Sequence, residues 1–530
     1  MMEHRIEQAI LCPGSRNAPL SETLVSQTKI HAIPVADERS AGFQAIGMAL
    51  MQHKPVAIVC TSGSALANLL PSVAEAYYRE IPLLIISADR PPAWIGQQLG
   101  QTLPQPALLG TLTQYAVSLP EIHNEETEWH CNRLLNDAFL RLQRPPFGPI
   151  HINIPLSEPL FEYFSGTLPE TRVIHDLPIR QSFDHAAFCD LWHSHEKKMI
   201  LVGQYNPTVY EEYLLSLLCK RTDCVVLGDA FSNTVPLGAY PVSDFLARNL
   251  TRENLHAMIP NFLITMGGQV VSKQWRILLQ NHRPCCHLSV TQHSHNIDPY
   301  RSLNYRISVS MSHFLETLLD LPDAPLCNYS DHWETFFDNL AFPEYSPYSN
   351  HGVIEKIVSS LPEHAVLHVG NSSLARDIQD FILPSGVKCH ANRGTNGIEG
   401  SVSVAVGAAI ADSNEHILLI GDLSFFYDMN ALWKNAIPRN LSIVMLNNGG
   451  GAIFKHLNGM KKGETFDRFV AHRHHTCAKG WALETGFEYH AVYNEKELHA
   501  LDSLWQCSHS SARFLEIFTE WEEYNENNNR

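Results

Sequence analysis

Among its 12 cysteines the sequence has no Cys-x-x-Cys pair, which removes the common thiolate zinc sites and thioredoxin-like redox motifs. Cys285 and Cys286 are adjacent, and sequence neighbours rarely bridge, so the thiols read as reduced and mostly buried, as in a cytoplasmic protein. No stretch reaches the roughly 18 consecutive apolar residues of a membrane span. The opening residues MMEHRIEQAI lack the apolar core of a signal peptide. Positive charge is scarce too. Against 55 Asp and Glu stand 38 Lys and Arg, a formal charge of −17, and no basic run carries interleaved aromatics. That excludes a general nucleic-acid surface, but leaves room for a few arginines gathered around a small anion.

What is present is apolar and periodic. With 45% apolar residues in 530, the chain can bury several large cores, and its length suggests about three domains. Short apolar runs alternate with helical patterns. In the first third they are AILC, HAIPV, VAIVCTSG, LLIISADR and PIHINIP, with ERSAGFQAIGMALM and SALANLLPSVAEAYYRE as helices between them. KMILVGQY, DCVVLGDA, NFLITMGGQVV and CCHLSVT follow in the middle, then HAVLHVGNSS, VKCHANRG, HILLIGDLSF, LSIVMLNNGG and ARFLEIF. Strands separated by helices imply βαβ units and parallel sheets. The expectation is an α/β protein of three doubly wound parallel-sheet domains, at 1–162, 185–325 and 345–530. An irregular stretch near 162–190 and a Pro/Asn/Ser-rich linker at 321–352 separate them, and the polar tail EYNENNNR frays.

Two strands of the last third run straight into polar residues. ILLIG leads into Asp422, and LSIVML leads into Asn447, Asn448 and three glycines. Ligands of open α/β sheets bind at the carboxyl ends of strands. A carboxylate, an amide oxygen and a backbone carbonyl from the glycine turn suit Mg²⁺, with positions left for phosphate oxygens. Taken singly, each residue has a plainer role: Asp422 caps the next helix, and Asn-Gly makes a turn. Glu38, after PVAD at a helix start, is likewise a favoured first-turn acid or a carboxyl placed for proton sharing in a dry site. Arg16 in CPGSRNAP, Arg90 in ADRPP, Arg376 in GNSSLARD and Arg393 in ANRGTNGIEG each follow an apolar run. They are surface charges, or guanidinium forks for carboxylates. AHRHHTC at 471–477 lacks a second ligand cluster and reads as a solvated helix or loop, not as zinc.

The GD-x-S stretch with NN after it, Asp422 and Asn448 lying 26 residues apart, resembles the diphosphate-binding motif of thiamine-diphosphate enzymes. Leu423 stands where most of that superfamily has glycine. Together with GDLSFFYDMNAL, NNGGGAIF, CTSGSALANLLPSVAEAYY and LLIISADRPP, it is similar to one branch, the 2-succinyl-5-enolpyruvyl-6-hydroxy-3-cyclohexene-1-carboxylate synthases of menaquinone biosynthesis. The resemblance runs from Ser15 to about Phe518.

It implies a transferase with the three-domain fold of the superfamily. Such an enzyme decarboxylates 2-oxoglutarate and adds the succinyl carbanion equivalent to isochorismate by conjugate addition. It implies Mg²⁺ or Mn²⁺ on Asp422, Asn448 and the carbonyl of Gly450. Thiamine diphosphate would lie against Gly421, Leu423, Ser424 and Ser62, with Ile398 as its apolar prop. Glu38 would hydrogen-bond the aminopyrimidine, and Gln101 would work near the reacting carbon. Ser15, Arg16, Arg90, Lys273, Ser372, Arg376 and Arg393 would meet substrate carboxylates, with Ile453 and Phe454 as the apolar wall. A homodimer or homotetramer is implied, with Glu38 reaching the cofactor held by a partner's third domain. This chain departs from the family at Gly100 and Thr102-Leu103, where Asn and Ala-Ile are more frequent, and in the short segment before AILC; Gln274 stands beside Lys273 where the family can carry an arginine, and the resemblance implies no role for it. Another 2-oxoacid decarboxylase or carboligase using the same cofactor would not need this arginine set or Leu423. A non-catalytic nucleotide-binding regulator would not need Glu38, Asp422 and Asn448 together.

Overall fold

The computed structural model describes residues 1–163, 166–177, 182–293, 295–322, 328–433, 436–456, 459–500 and 511–519. The tail expected to fray lies outside them. Three six-stranded sheets account for the β structure. The first takes β1 (Gln8–Leu11), β2 (His31–Pro34), β3 (Val56–Cys60), β4 (Leu83–Asp89), β5 (Tyr115–Ser118) and β6 (Ile150–Pro155), in the order β2-β1-β3-β4-β6-β5. The second takes β7 (Lys198–Val202), β8 (Val225–Gly228), β9 (Tyr240–Pro241), β10 (Phe262–Met266), β11 (Cys286–Val290) and β12 (Tyr305–Ile307), in the order β12-β11-β10-β7-β8-β9. The third takes β13 (Val366–Val369), β14 (Lys388–His390), β15 (His416–Gly421), β16 (Leu441–Asn447), β17 (Glu488–Val492) and β18 (Arg513–Phe518), in the order β14-β13-β15-β16-β18-β17.

Every strand pair is parallel. The first and third sheets share one winding, and the middle sheet has another. The expected α/β class with three doubly wound sheets is therefore found. The four strands without a counterpart in the sequence reading, β5, β9, β12 and β17, are all sheet edges and mostly half-exposed. Edge strands need no continuous apolar run, so they leave none to see.

Two other expectations change. SALANLLPSVAEAYYRE is not one helix but two, Ser64–Asn68 and Leu70–Tyr78. Pro71 cannot donate to the preceding turn and so sits in the first turn of the second helix. The 321–352 segment is not simply a linker. It carries the helix Tyr329–Asp338, whose Tyr329 and Trp333 are buried in the core of the middle sheet, Trp333 against Trp275 and Tyr240.

The first and third sheets are joined through two helices that are apolar or small around most of their circumference, Glu38–Gln52 and Ser401–Ala411. They cross at glycines. A Cβ on Gly47 would lie 2.1 Å from the Val404 carbonyl oxygen, and one on Gly407 would lie 2.0 Å from that of Gln44. Only glycine permits this approach, and it sets the Glu38 end of one helix over the third sheet's unit. No helix among the described residues is long and apolar enough to cross a membrane. The 10 cysteines described are free.

Burial also sets an acid response. His151 in β6 is fully buried, and burial pushes its imidazole down to about 4. In the unfolded chain it takes up a proton near 6.5. Between these values the unfolded state binds more protons, so stability falls as pH falls. His151→Leu leaves the Ser87 hydroxyl its bond to Asn153 Oδ1 at 2.9 Å. From pH 6.5 to 4 its unfolding free energy, from denaturant titration, is expected to fall less steeply than that of the parent, by up to about 1.4 kcal/mol per pH unit. Parallel slopes would show that His151 is not held neutral.

Candidate active site

Asp422 is the first residue of the helix Asp422–Asp428, directly after β15, and is 3% exposed. β16 runs beside β15, with Gly421 opposite Leu446, so the turn after β16 begins next to Asp422. The Asp422 carboxylate binds that turn. Oδ2 accepts from the backbone N–H of Gly449 at 2.8 Å and of Gly450 at 3.0 Å, and Oδ1 accepts from Leu423 N–H at 2.6 Å. Burial raises its pKa, opposed by these donors and by His474. The positive φ of Gly449 (74°) and Gly450 (142°) is why glycine occupies both.

Asn448 presents a buried side-chain oxygen with no hydrogen-bond partner. A buried amide oxygen left bare is costly, and a hard cation satisfies it. The donor set at this turn, an Asp carboxylate, the Asn448 amide oxygen and backbone carbonyls, is the oxygen-only chemistry that Mg²⁺ takes. Asn447 points elsewhere, donating to Glu516 Oε1 at 2.7 Å and to the Thr476 carbonyl at 3.0 Å. Ser424 donates to the carbonyl of Ile398 at 2.5 Å, fixing the exposed Ile398 beside this helix.

The loop carrying Arg393 is held from two sides. Asn371 donates to the carbonyls of Asn392 and Gly397, both at 2.6 Å, and accepts from Arg393 Nη1 at 3.1 Å. Glu75, buried in a helix of the first unit, accepts from the N–H groups of Gly394 (2.9 Å) and Thr395 (2.8 Å). Burial pulls the Arg393 guanidinium below its ordinary value; Asp229 and Glu75 resist the fall and Arg376 adds to it. Arg393 and the exposed Arg376 therefore share one neighbourhood, and Ser372, with φ 80°, follows Asn371 in the same loop. Asp229, pushed up to about 6 by burial, accepts from Val271 N–H at 2.9 Å and so fixes the loop before the exposed Lys273. Ile453 and the exposed Phe454 follow the glycine turn in a short 3₁₀ helix, Ala452–His456.

The remaining candidates gather at the carboxyl edge of the first sheet. Arg16 is 5% exposed; it donates through Nη1 to the Leu156 carbonyl at 2.9 Å and through Nη2 to Glu158 at 3.2 Å. Arg90 donates to the Gly100 carbonyl at 3.2 Å. Both guanidinium charges oppose the burial that raises Asp89, so they too are neighbours. Ser15 is exposed beside Arg16. The Ser62 hydroxyl is buried with no partner. Gly63, next to it, lies under Gln101, where a Cβ would come within 3.0 Å of the Gln101 Cα. Gln101 itself is exposed and strained, at φ 59°. Glu38 is half-buried at the start of its helix and accepts from Asn68 Nδ2 at 3.2 Å. Among the described residues no hydrogen bond or ion pair joins the Glu38, Gln101, Arg16 and Arg90 set to the Asp422, Asn448, Arg376 and Arg393 set. The two sets lie on two different sheets.

Residues 1–108 match the family model described as "Thiamine pyrophosphate enzyme, N-terminal TPP binding domain". A 2-succinyl-5-enolpyruvyl-6-hydroxy-3-cyclohexene-1-carboxylate synthase of Phocaeicola vulgatus is 43% identical over 98% of this chain and 94% of its own length. The enzyme of that name from Bacteroides thetaiotaomicron is 45% identical over 93% of this chain and 89% of its own. The chain belongs to the 2-succinyl-5-enolpyruvyl-6-hydroxy-3-cyclohexene-1-carboxylate synthase family. A solved structure of benzoylformate decarboxylase from Polynucleobacter necessarius superposes with a TM-score of 0.73 at 15% identity, over 99% of this chain and 97% of that one. At that identity the likeness speaks for the fold. Membership makes the chain an enzyme, and the three parallel sheets are those of its structural neighbours.

Within this synthase fold several residues that hold the loops around the candidates were absent from the sequence reading. Glu75, Asn371, Asp229 and Glu516 act across long sequence distances. An acid alone in an apolar helix, as Glu75 is in PSVAEAYY, was the only local signal. The 471–477 histidine segment is a mostly exposed loop, as expected. It packs under the glycine turn, the Gly451 N–H donating to the Ala471 carbonyl at 2.7 Å and the His474 N–H to the Gly449 carbonyl at 3.1 Å.

Proposed function

We propose that this chain catalyses the thiamine-diphosphate- and Mg²⁺-dependent (or Mn²⁺-dependent) decarboxylation of 2-oxoglutarate and the conjugate addition of the resulting four-carbon unit to isochorismate. The product is the one for which its relatives are named, in menaquinone biosynthesis. The turn joining Asp422 to Gly449 and Gly450 beside the bare Asn448 oxygen carries this reading. Asp422, Asn448 and the Gly450 carbonyl hold the cation, and Gly421, Leu423 and Ser424 lie along the diphosphate. Ser62 and Ile398 border the cofactor. When bound, thiamine diphosphate supplies the nucleophilic carbon and the electron sink for loss of carbon dioxide.

The other work belongs to the chain. Glu38, which accepts from Asn68 at 3.2 Å, would share a proton with the ring nitrogen of the aminopyrimidine. Gln101, on its strained turn over Gly63, faces the reacting carbon. Arg16, Arg90 and Ser15 on one half-site, and Arg376, Arg393, Ser372 and Lys273 on the other, take up the four carboxylates of the two substrates. Ile453 and Phe454 keep the acceptor side dry. The complete site forms between two copies, in a homodimer or homotetramer, the first sheet's half-site of one facing the third sheet's half-site of the other. Two arginine pairs on separate sheets, and exposed apolar Ile398, Tyr427 and Phe454 near the third-sheet half-site, support that assembly. In this reading 1–162 binds the pyrimidine, 345–530 the diphosphate, and 185–325, with the docked helix Tyr329–Asp338, lies between. Free thiols fit a reducing cytoplasm.

The test is coupling. Carbon dioxide release from 2-oxoglutarate is expected to depend on isochorismate; rapid release without it, leaving free succinic semialdehyde, identifies a simple decarboxylase instead. Arg16→Ala is expected to raise KM for a carboxylate substrate about 10–100-fold, the range of a lost charged hydrogen bond, with thiamine diphosphate affinity by calorimetry unchanged. If neither moves, Arg16 only ties the CPGSRNAP turn to Leu156 and Glu158.

A further inference from the structure

The histidine segment contains one residue aimed at the candidate metal turn. His474 Nδ1 accepts the backbone N–H of Thr476 at 3.1 Å. A ring nitrogen that accepts carries no hydrogen, so the imidazole hydrogen is on Nε2. That Nε2 lies 3.4 Å from Asp422 Oδ2, in a side chain only 12% exposed, and has no full hydrogen bond of its own. The ring is wedged edge-on against Phe426, 5.6 Å between centroids, and its backbone N–H is tied to Gly449. The donor therefore has little freedom to turn toward solvent.

We propose that His474 is a positioning residue for Asp422, selecting which carboxylate oxygen faces the cation. This rests on the reading of the turn as a cation site. Oδ2 accepts two hydrogen bonds, from Gly449 and Gly450, and His474 Nε2 stands 3.4 Å away as a longer third contact, whereas Oδ1 is met by the Leu423 N–H alone. With two hydrogen bonds and the His474 contact on one side, Oδ1 keeps the uncommitted lone pair, and the carboxylate plane is fixed before any ion arrives. Partners of metal ligands commonly have this part, and their loss costs about 10–100-fold in metal affinity.

Two variants test it, with Mg²⁺ titrated calorimetrically into protein plus thiamine diphosphate and the thermal midpoint of the ligand-free protein followed alongside. His474→Leu keeps an apolar body against Phe426 but has no donor. Its Mg²⁺ dissociation constant is expected to rise about 10–100-fold, with kcat recovering at saturating Mg²⁺ and the ligand-free midpoint close to that of the parent. His474→Gln, whose amide can donate from a similar reach, is expected to restore affinity to within a few-fold. Parent-like affinity in His474→Leu overturns the proposal, as does an equal loss in both variants, because the donor would then not matter. If His474→Leu does not fold, weakened binding in a folded His474→Gln overturns it, and preserved binding there together with loss in a folded His474→Ala upholds it. A parent protein that binds neither Mg²⁺ nor thiamine diphosphate instead sinks the reading of the site itself.

Discussion

Glu38→Gln is expected to lower kcat by about 10²–10⁴-fold, the range for a lost acid–base group, while binding of thiamine diphosphate and Mg²⁺ stays close to that of the parent. The substitution is isosteric. The side chain can still accept from Asn68 Nδ2, now 3.2 Å from the Glu38 Oε2, but it cannot share a proton with a ring nitrogen. The local fold does not depend on it. The helix is capped by Asp37, whose Oδ1 accepts from Arg39 at 2.9 Å and Ser40 at 3.4 Å, and Arg39 anchors the helix start to the Tyr427 carbonyl at 2.7 Å. Only the favourable first-turn charge is lost, about 0.3–1 kcal/mol of stability. Steady-state kinetics with calorimetry on the same preparation separates the two effects. Ordinary turnover in a protein that binds its cofactor would remove Glu38 from the chemistry.

Asp422→Ala should fail one step earlier. The carboxylate serves as a candidate cation ligand and as the acceptor for three backbone N–H groups, of Leu423, Gly449 and Gly450. Removing it frees the turn that presents Asn448 and the Gly450 carbonyl as well as deleting a ligand. Hydrogen bonds to a charged group are worth about 1.5–3 kcal/mol each and each step of about 1.4 kcal/mol is tenfold, so with three such bonds and the carboxylate gone, binding of thiamine diphosphate at saturating Mg²⁺ is expected to weaken by ~10³-fold or more. Glu38→Gln thus loses rate with binding kept, and Asp422→Ala loses binding. A calorimetric titration in which Asp422→Ala binds like the parent would contradict the assignment of the turn.

The pairing of Asp422 with Asn448 was legible in the sequence because each directly follows a buried strand, whereas Glu38 stands beyond Val35–Asp37 after the end of β2 at Pro34. HILLIG and LSIVMLN are central strands, apolar on both faces, and such strands announce their own ends. The same rule explains what stayed hidden. β5, β9, β12 and β17 lie at sheet edges, where one flank is solvent and no apolar run is required. The helix with Trp333 sat in a stretch rich in Pro, Asn and Ser, and only packing against Trp275 and Tyr240 reveals it. In the site, residues with a local motif were found and residues acting at a distance were not. Glu75 meets Gly394 and Thr395 across about 320 positions, and no spacing rule reaches that far. The arginines, read as strand-end residues of two domains, stand as two pairs, Arg16 with Arg90 and Arg376 with Arg393.

The most direct measurement is the mass of the product formed from 2-oxoglutarate and isochorismate by the parent protein with thiamine diphosphate and Mg²⁺. Atom balance after loss of carbon dioxide gives a single adduct whose mass is the sum of isochorismic acid and succinic semialdehyde. Finding that adduct, formed in step with carbon dioxide, is the expected result. Free succinic semialdehyde with isochorismate left unconsumed, or no reaction in a protein that binds both cofactors, contradicts the assigned function.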